Sequence, residues 1–482
     1  MRKILPLLLL ILLPLACDKP SKDNPDNNQG TDGLEPATYY GNLFAFNYMK
    51  AYYLWADDKD IAARIDAWTY GSNPVEKVAE CCYREGGQLV DKWTALMTDR
   101  SSFESSVTGN GKSFGIDFVL YAEGEQVVMV VTFVYDNSPA QKAGLKRGDV
   151  VVTFDGTTLT RKNYSEVLTE KIYNFPETLQ AGLRDGRNLT MTAVQMYSNP
   201  VNVVRTLEVN EKKVGYLHFS NFTMDAAQDL VEAFRVFKAD GIRELVVDLR
   251  YNSGGYAIIA AVLGSMIAPL SVVSSGAVFN KDIYNSNLTP STPSKAETCF
   301  ANSFTLPLSG GEKTFNTLEV NPDLKRVWFI VTGQTASASE ALICGLAPYM
   351  DVALIGSDTY GKFCGGYLLK ADEFYDRLST QKTDFDCAAG KKATDGWGLY
   401  VIASRYADCN GVTLSMPNGI PADIQASDDP SDGKQLGDPS EKMLATALGF
   451  ATGGYAAPAS PTKSALSERL PFEKPGAGAL LY

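Results

Sequence analysis

The sequence predicts an α/β protein with a mostly parallel sheet, preceded by a small β domain and a helical N-terminal region. Three observations carry this. From about residue 210 onward, apolar strand patterns alternate with helical ones. ELVVDLR (residues 244–250) and VWFIVT (327–332) are nearly continuous apolar runs, as strands buried on both faces are. Between 115 and 156 short β-runs follow one another without a long helix between them. The 482 residues suffice for two or three domains, and 45% hydrophobic with 11% aromatic residues is the composition of a core-forming chain.

Taken in order, Arg2 and Lys3 precede the apolar run Ile4 to Leu13 and then Pro14-Leu15-Ala16-Cys17. This reads as an export signal over 1–16, too short to span a bilayer. Cys17 resembles the lipidated first residue of a bacterial lipoprotein, which implies a lipid anchor and a place in the bacterial cell envelope. Residues 17–34, rich in Asp, Asn, Pro and Gly, read as a flexible tether. Residues 35–107 read as a helical region. One stripe holds Leu43, Phe44, Phe46, Met49, Tyr53 and Leu54, and a second helix is expected from Val75 to Met97.

Residues 108–197 carry the β-runs GIDFVLY, VVMVVTFVY and DVVVTFDG. Between them stand Ser138-Pro139-Ala140-Gln141, a short Pro-started helix, and Arg147-Gly148-Asp149; the Asp155-Gly156 turn closes the last run. That order resembles a PDZ domain. The resemblance places a loop for substrate tails at Gly115, Ile116 and Phe118. Residues 198–460 form the α/β domain: strand VGYLHFSNF, a helix over 225–239, strand ELVVDLR, a helix over 255–267, strand VWFIVT, a helix over 337–346 and strand VALIG. The polar stretch 271–325 reads as a surface elaboration. Residues 461–482 read as a tail.

Net charge is −12, which argues against a nucleic-acid partner. A single histidine, His218, argues against a Ser-His-Asp triad and a poly-histidine metal site. It lies in a strand and reads as a packing residue. Seven cysteines follow Cys17, an odd number without metal-ligand spacing. No metal or organic cofactor is expected.

In parallel sheets ligands gather at the carboxyl ends of strands. Three such ends carry Asn252-Ser253-Gly254-Gly255, Ser337-Ala338-Ser339-Glu340 and Tyr360-Gly361-Lys362. A serine at a strand-to-helix turn exposes its hydroxyl with the positive helix end behind it. The double glycine lets a backbone N–H approach a ligand, and Lys362 can supply a base. Taken singly, the serines could be caps, the glycines a turn and the lysine a surface charge; their convergence favours chemistry.

Together these motifs resemble the C-terminal processing peptidases, or tail-specific proteases, over roughly residues 40–450. Gly419-Ile420-Pro421-Ala422-Asp423-Ile424 resembles the family's closing motif. The resemblance implies a crotonase-like (ClpP-like) catalytic domain behind a PDZ domain, acting on protein or peptide substrates with a Ser–Lys dyad. Ser337 would be the nucleophile and Lys362 the base. Ala338, with Gly254 or Gly255, would form the oxyanion hole. Two positions depart from the family pattern: Gly366 stands where many members place a lysine-orienting glutamine, and Pro348 where they place an aspartate. The alternative is a non-catalytic lipoprotein on the same scaffold that binds peptides or hydrophobic ligands.

Overall fold

The apolar runs of the α/β region pair into one six-stranded sheet. Its order is Val201–Val209, Lys212–Phe219, Glu244–Asp248, Arg326–Val331, Asp351–Gly356, Ile424–Gln425. Only the first pair is antiparallel. The computed structural model describes residues 33–290, 293–381, 383–414, 416, 418–453 and 468–471. The expected export signal, Cys17 and nearly all of the tether lie outside the described residues, as does most of 461–482. No helix among the described residues is long and apolar enough to cross a membrane.

Helices Ala226–Asp240, Ala257–Ile267 and Ala338–Leu346 lie between successive parallel strands. They bury Leu230, Phe234, Leu263 and Leu342 in one core against the sheet. Helix Lys442–Thr452 covers the other face through Met443, Leu444 and Leu448. Because each crossover moves the chain one strand along, the loops after Asp248, Val331 and Gly356 lie side by side. Those are the three strand ends that the sequence marks.

The β-runs of 108–197 form a separate sheet with its own core, in the order Asn188–Met191, Leu179–Leu183, Val150–Phe154, Gln126–Val134, Ile116–Glu123. Glu468–Leu470, from far along the chain, adds as its outermost strand. The Ser138 hydroxyl caps the short helix Pro139–Lys142 by accepting from the Gln141 N–H at 3.1 Å. Arg147 bridges this sheet to the α/β domain, donating to the Thr132 carbonyl, the Tyr251 hydroxyl and the Asp428 carboxylate at 2.6–2.9 Å. His218 packs against the Phe133 ring at 5.2 Å, and burial lowers its pKa to about 4, so it stays neutral.

The N-terminal region departs from its helical expectation. Helix Pro36–Tyr52 is apolar nearly all round and is buried accordingly. The helix expected from Val75 to Met97 is only Pro74–Cys81. Cys82 turns extended, and Gly86 and Gly87, at φ 55° and 84°, make a hairpin turn that no helix accommodates. Ala95–Met97 is then a strand, paired with Gly398–Tyr400. The polar stretch 271–325 also contributes strand Val278–Tyr284 to that second sheet, beside Gly398–Ala407. All seven described cysteines are free thiols.

Candidate active site

Ser337 is the last residue before helix Ala338–Leu346 and sits at φ 56°, ψ −114°. A β-carbon disfavours that backbone, at a cost on the order of 1–3 kcal/mol, and surrounding structure must hold it there. Asn252 and Glu340 supply the hold. The Asn252 carbonyl accepts from the Ala336 N–H and the Ser339 hydroxyl, both at 3.1 Å. The Glu340 carboxylate accepts from the Ser337 N–H at 2.9 Å.

The same carboxylate reaches the third strand end. It accepts from the Lys362 N–H at 2.9 Å, the Gly361 N–H at 2.7 Å and the Thr359 hydroxyl at 2.6 Å. One buried side chain therefore fastens the serine turn to the lysine turn. Burial raises the Glu340 pKa, opposed by these four hydrogen bonds. The motif Gly419–Ile424 closes the far side: the Ile420 N–H donates to the Thr359 hydroxyl at 2.7 Å. A β-carbon on Gly419 would lie 1.8 Å from the Thr359 carbonyl oxygen, so only glycine fits.

Gly254 and Gly255 have φ of 112° and 133°. A β-carbon on Gly254 would fall 2.7 Å from the Ser337 β-carbon and 3.1 Å from the Ala338 nitrogen, so the double-glycine loop packs directly on the Ser337 turn. The Gly254 N–H is taken by the Asn252 side-chain oxygen at 2.8 Å. Among the described residues the Gly255 and Ala338 amides have no hydrogen-bond acceptor. Those two amides remain for a ligand.

Lys362 is 4% exposed and Ser337 7%. The Lys362 ammonium nitrogen lies 5.3 Å from the Trp93 ring centroid and 5.5 Å from that of Tyr400, and makes no ion pair among the described residues. Burial lowers its pKa, against the pull of nearby Cys364, Asp91 and Glu340. Burial also raises the Cys364 thiol pKa. Tyr406 stands beside the Ser337 side chain.

The Gly366 departure has a steric cause. A β-carbon there would meet the Val401 carbonyl oxygen at 2.6 Å and the Tyr400 ring at 2.7 Å. Tyr400 fills the space a side chain at 366 would need. Glu340, Asn252, Trp93 and Tyr400 escape sequence reasoning. Asn252 and Glu340 lie inside the quoted motifs, whereas Trp93 and Tyr400 arrive from distant segments with no local signal. At the PDZ-like loop, the Gly115 N–H donates to the Ser113 hydroxyl and the Phe118 N–H to the Asp117 carboxylate. Two amides there are thus already engaged, while Ile116 and Phe118 pack on the β-domain core.

Ser337 on a strained strand-to-helix turn, the desolvated Lys362 and two unengaged amides thus converge on the α/β domain, which adjoins the β sheet of residues 108–197. Residues 213–426 match the model of peptidase family S41 and residues 130–169 that of the PDZ domain. The first match covers most of the α/β domain and the second part of the β module before it. It is 32% identical over 172 residues to carboxyl-terminal-processing peptidase 2, chloroplastic, of Arabidopsis thaliana, covering 32% of this chain and 31% of that one. It is 24% identical over 302 residues to a CtpA-like serine protease of Staphylococcus aureus (strain bovine RF122 / ET3-1), covering 59% and 53%. The chain thus spans about half or less of the length of these curated relatives. A solved S41-protease structure from Bacteroides fragilis NCTC 9343 shares the fold. Its TM-score is 0.63 at 22% identity, over 86% of this chain and 97% of that one.

Proposed function

We propose that the chain is a serine endopeptidase that cleaves exported proteins or peptides through a Ser337–Lys362 dyad. The observation that carries this is the lysine: a buried amine without an ion partner, fastened through Glu340 to the turn that strains Ser337. A free lysine, with pKa near ~10.4, is a poor base at neutral pH; desolvation makes the neutral amine available.

Neutral Lys362 takes the Ser337 hydroxyl proton as the oxygen attacks the scissile carbonyl carbon. The Ala338 and Gly255 amides hold the resulting oxyanion, with the positive end of helix Ala338–Leu346 behind them. Between the two glycines, the engagement of Gly254 by Asn252 favours Gly255. The Lys362 ammonium then gives its proton to the departing amine, and water, deprotonated by the same lysine, releases the acyl group. The PDZ domain offers substrate tails a strand edge. The export signal and Cys17 support a lipid-anchored location in the cell envelope.

The test is peptide cleavage by the chain without its first 17 residues, read by mass spectrometry on a mixed library. Ser337→Ala and Lys362→Ala should each remove the products seen with the parent. Identical product patterns in all three would end the dyad assignment.

A further inference from the structure

The Ile116–Glu123 strand would be the free edge of the PDZ sheet, and an unpaired edge recruits another strand. Here it is occupied by the chain itself. Glu468–Leu470 pairs antiparallel with it, placing Glu468 opposite Ala122, Arg469 opposite Tyr121 and Leu470 opposite Leu120. Leu470 therefore shares the inward face with Leu120 and packs on the PDZ core. The short helix Tyr164–Leu168 forms the other wall. The Tyr164 hydroxyl donates to the Pro471 carbonyl at 3.1 Å, and Arg161, anchored on the Gly124 carbonyl at 2.7 Å, pairs with the Glu468 carboxylate. The contact thus has backbone pairing, an apolar anchor and a charge match, the three parts of strand-addition recognition.

We propose that residues 468–471 are a resident peptide ligand of the PDZ edge, which incoming substrate tails must displace. The segment also reports what the groove selects: an extended chain with an aliphatic residue opposite Leu120 and an acidic residue two positions before it, facing Arg161. A tethered segment competes at an effective concentration on the order of 1 mM. A free peptide whose intrinsic Kd is about 10–100 μM would then bind the intact chain roughly ten- to a hundredfold more weakly than a chain whose segment is undocked. The consequence for cleavage rests on the peptidase reading above; the occupancy itself does not.

The experiment is therefore a binding measurement. A fluorescein-labelled peptide with the sequence of residues 466–474 is titrated by anisotropy into the full chain carrying Ser337→Ala, which keeps the peptide intact. Adding Leu470→Asp should tighten binding at least tenfold, and a scrambled peptide should bind neither protein. Arg161→Glu should weaken the peptide on the Leu470→Asp background, and a peptide carrying Arg in place of the acidic residue should recover it. Equal affinity with and without Leu470→Asp overturns the proposal, as does failure of the peptide to bind the Leu470→Asp chain, which would make the segment a fixed structural cap. Binding as expected in a chain whose active parent cleaves nothing would sink the peptidase reading and leave this one standing.

Discussion

Replacing Glu340 by glutamine keeps its shape and reverses half of its hydrogen bonding. One carboxylate oxygen accepts from the Ser337 and Lys362 amides, the other from the Gly361 amide and the Thr359 hydroxyl. A glutamine NH2 must face one of these pairs. Turned toward Ser337 and Lys362 it confronts two donors. Turned toward Gly361 it orphans one buried amide, costing about 1–3 kcal/mol, while Thr359 must rotate its hydroxyl. The two bonds on the remaining oxygen also lose their charge assistance, falling by about 1 kcal/mol each from the ~1.5–3 of an ionised acceptor. The cheaper orientation therefore costs about 3–5 kcal/mol. If half falls on the relative placement of Ser337 and Lys362, kcat drops about 10- to 100-fold, at ~1.36 kcal/mol per decade. KM should hold, because Glu340 is fully buried and lies behind the turn. The assay is kcat and KM on a fluorogenic peptide, with calorimetry on the same samples. A kcat within twofold of the parent, alongside a lowered Tm, would show that the carboxylate only stabilises the fold, and the positioning argument would fail.

Ser337→Gly removes the β-carbon from a strained turn, so it should abolish cleavage yet unfold about 1 kcal/mol later than Ser337→Ala, measured by denaturant titration; equal stability would mean that the turn stores no strain. Lys362→Met should stabilise the fold near neutral pH by about 0.5–2 kcal/mol while removing activity. The sign follows from the depressed lysine pKa: the unfolded chain binds the extra proton, so the penalty is present below the folded pKa and fades as pH rises toward the unfolded value; a loss of stability in Lys362→Met would contradict it. Trp93→Ala should admit water to the amine and move the rising limb of kcat against pH upward, whereas Trp93→Phe should move it less; an unmoved limb in Trp93→Ala would separate the ring from the base. Peptides with a free carboxyl end should be cleaved faster than amidated ones, with the difference shrinking at high salt; equal rates would leave the PDZ edge with backbone pairing alone.

The strand ends were readable because parallel strands buried on two faces leave unmistakable apolar runs, and because the turns after them need residues of unusual backbone freedom. Gly254-Gly255 announces itself in that way. The same pair shows the limit: two glycines look alike in sequence, and only the Asn252 side chain, by engaging one amide, leaves the other free. Glu340 was visible as part of a helix start, where a carboxylate three residues in is ordinary capping chemistry. Its reach to Gly361 and Lys362 depends on how two loops pack. The helix expected over 75–97 failed for a local reason, the paired glycines at 86 and 87, outvoted by a periodic apolar stripe. Strand Glu468–Leu470 has no period at all, since edge addition asks mainly for a backbone and one apolar anchor.

Beside Lys362, aromatic rings stand where a glutamine side chain does not fit. A glutamine at 366 would orient the amine by a hydrogen bond, but its β-carbon would collide with Tyr400 and the Val401 carbonyl. In this chain two rings flank the amine instead, one from the Gly398–Ala407 strand and one, Trp93, from just before the Ala95–Met97 strand that pairs with it. Ring faces attract an ammonium, by up to about 2 kcal/mol when desolvated, which alone would raise the lysine pKa. Exclusion of water acts the other way, and burial lowers the lysine pKa. The rings thus restrict where the amine sits and keep water from it without offering an acceptor that would hold its proton. Under the proposed dyad, that combination serves a base that takes a proton from Ser337 and returns it to a leaving group. On the proposed dyad the N-terminal region also contributes to the active site, because Trp93, just before Ala95–Met97, is one of the rings that cover the amine.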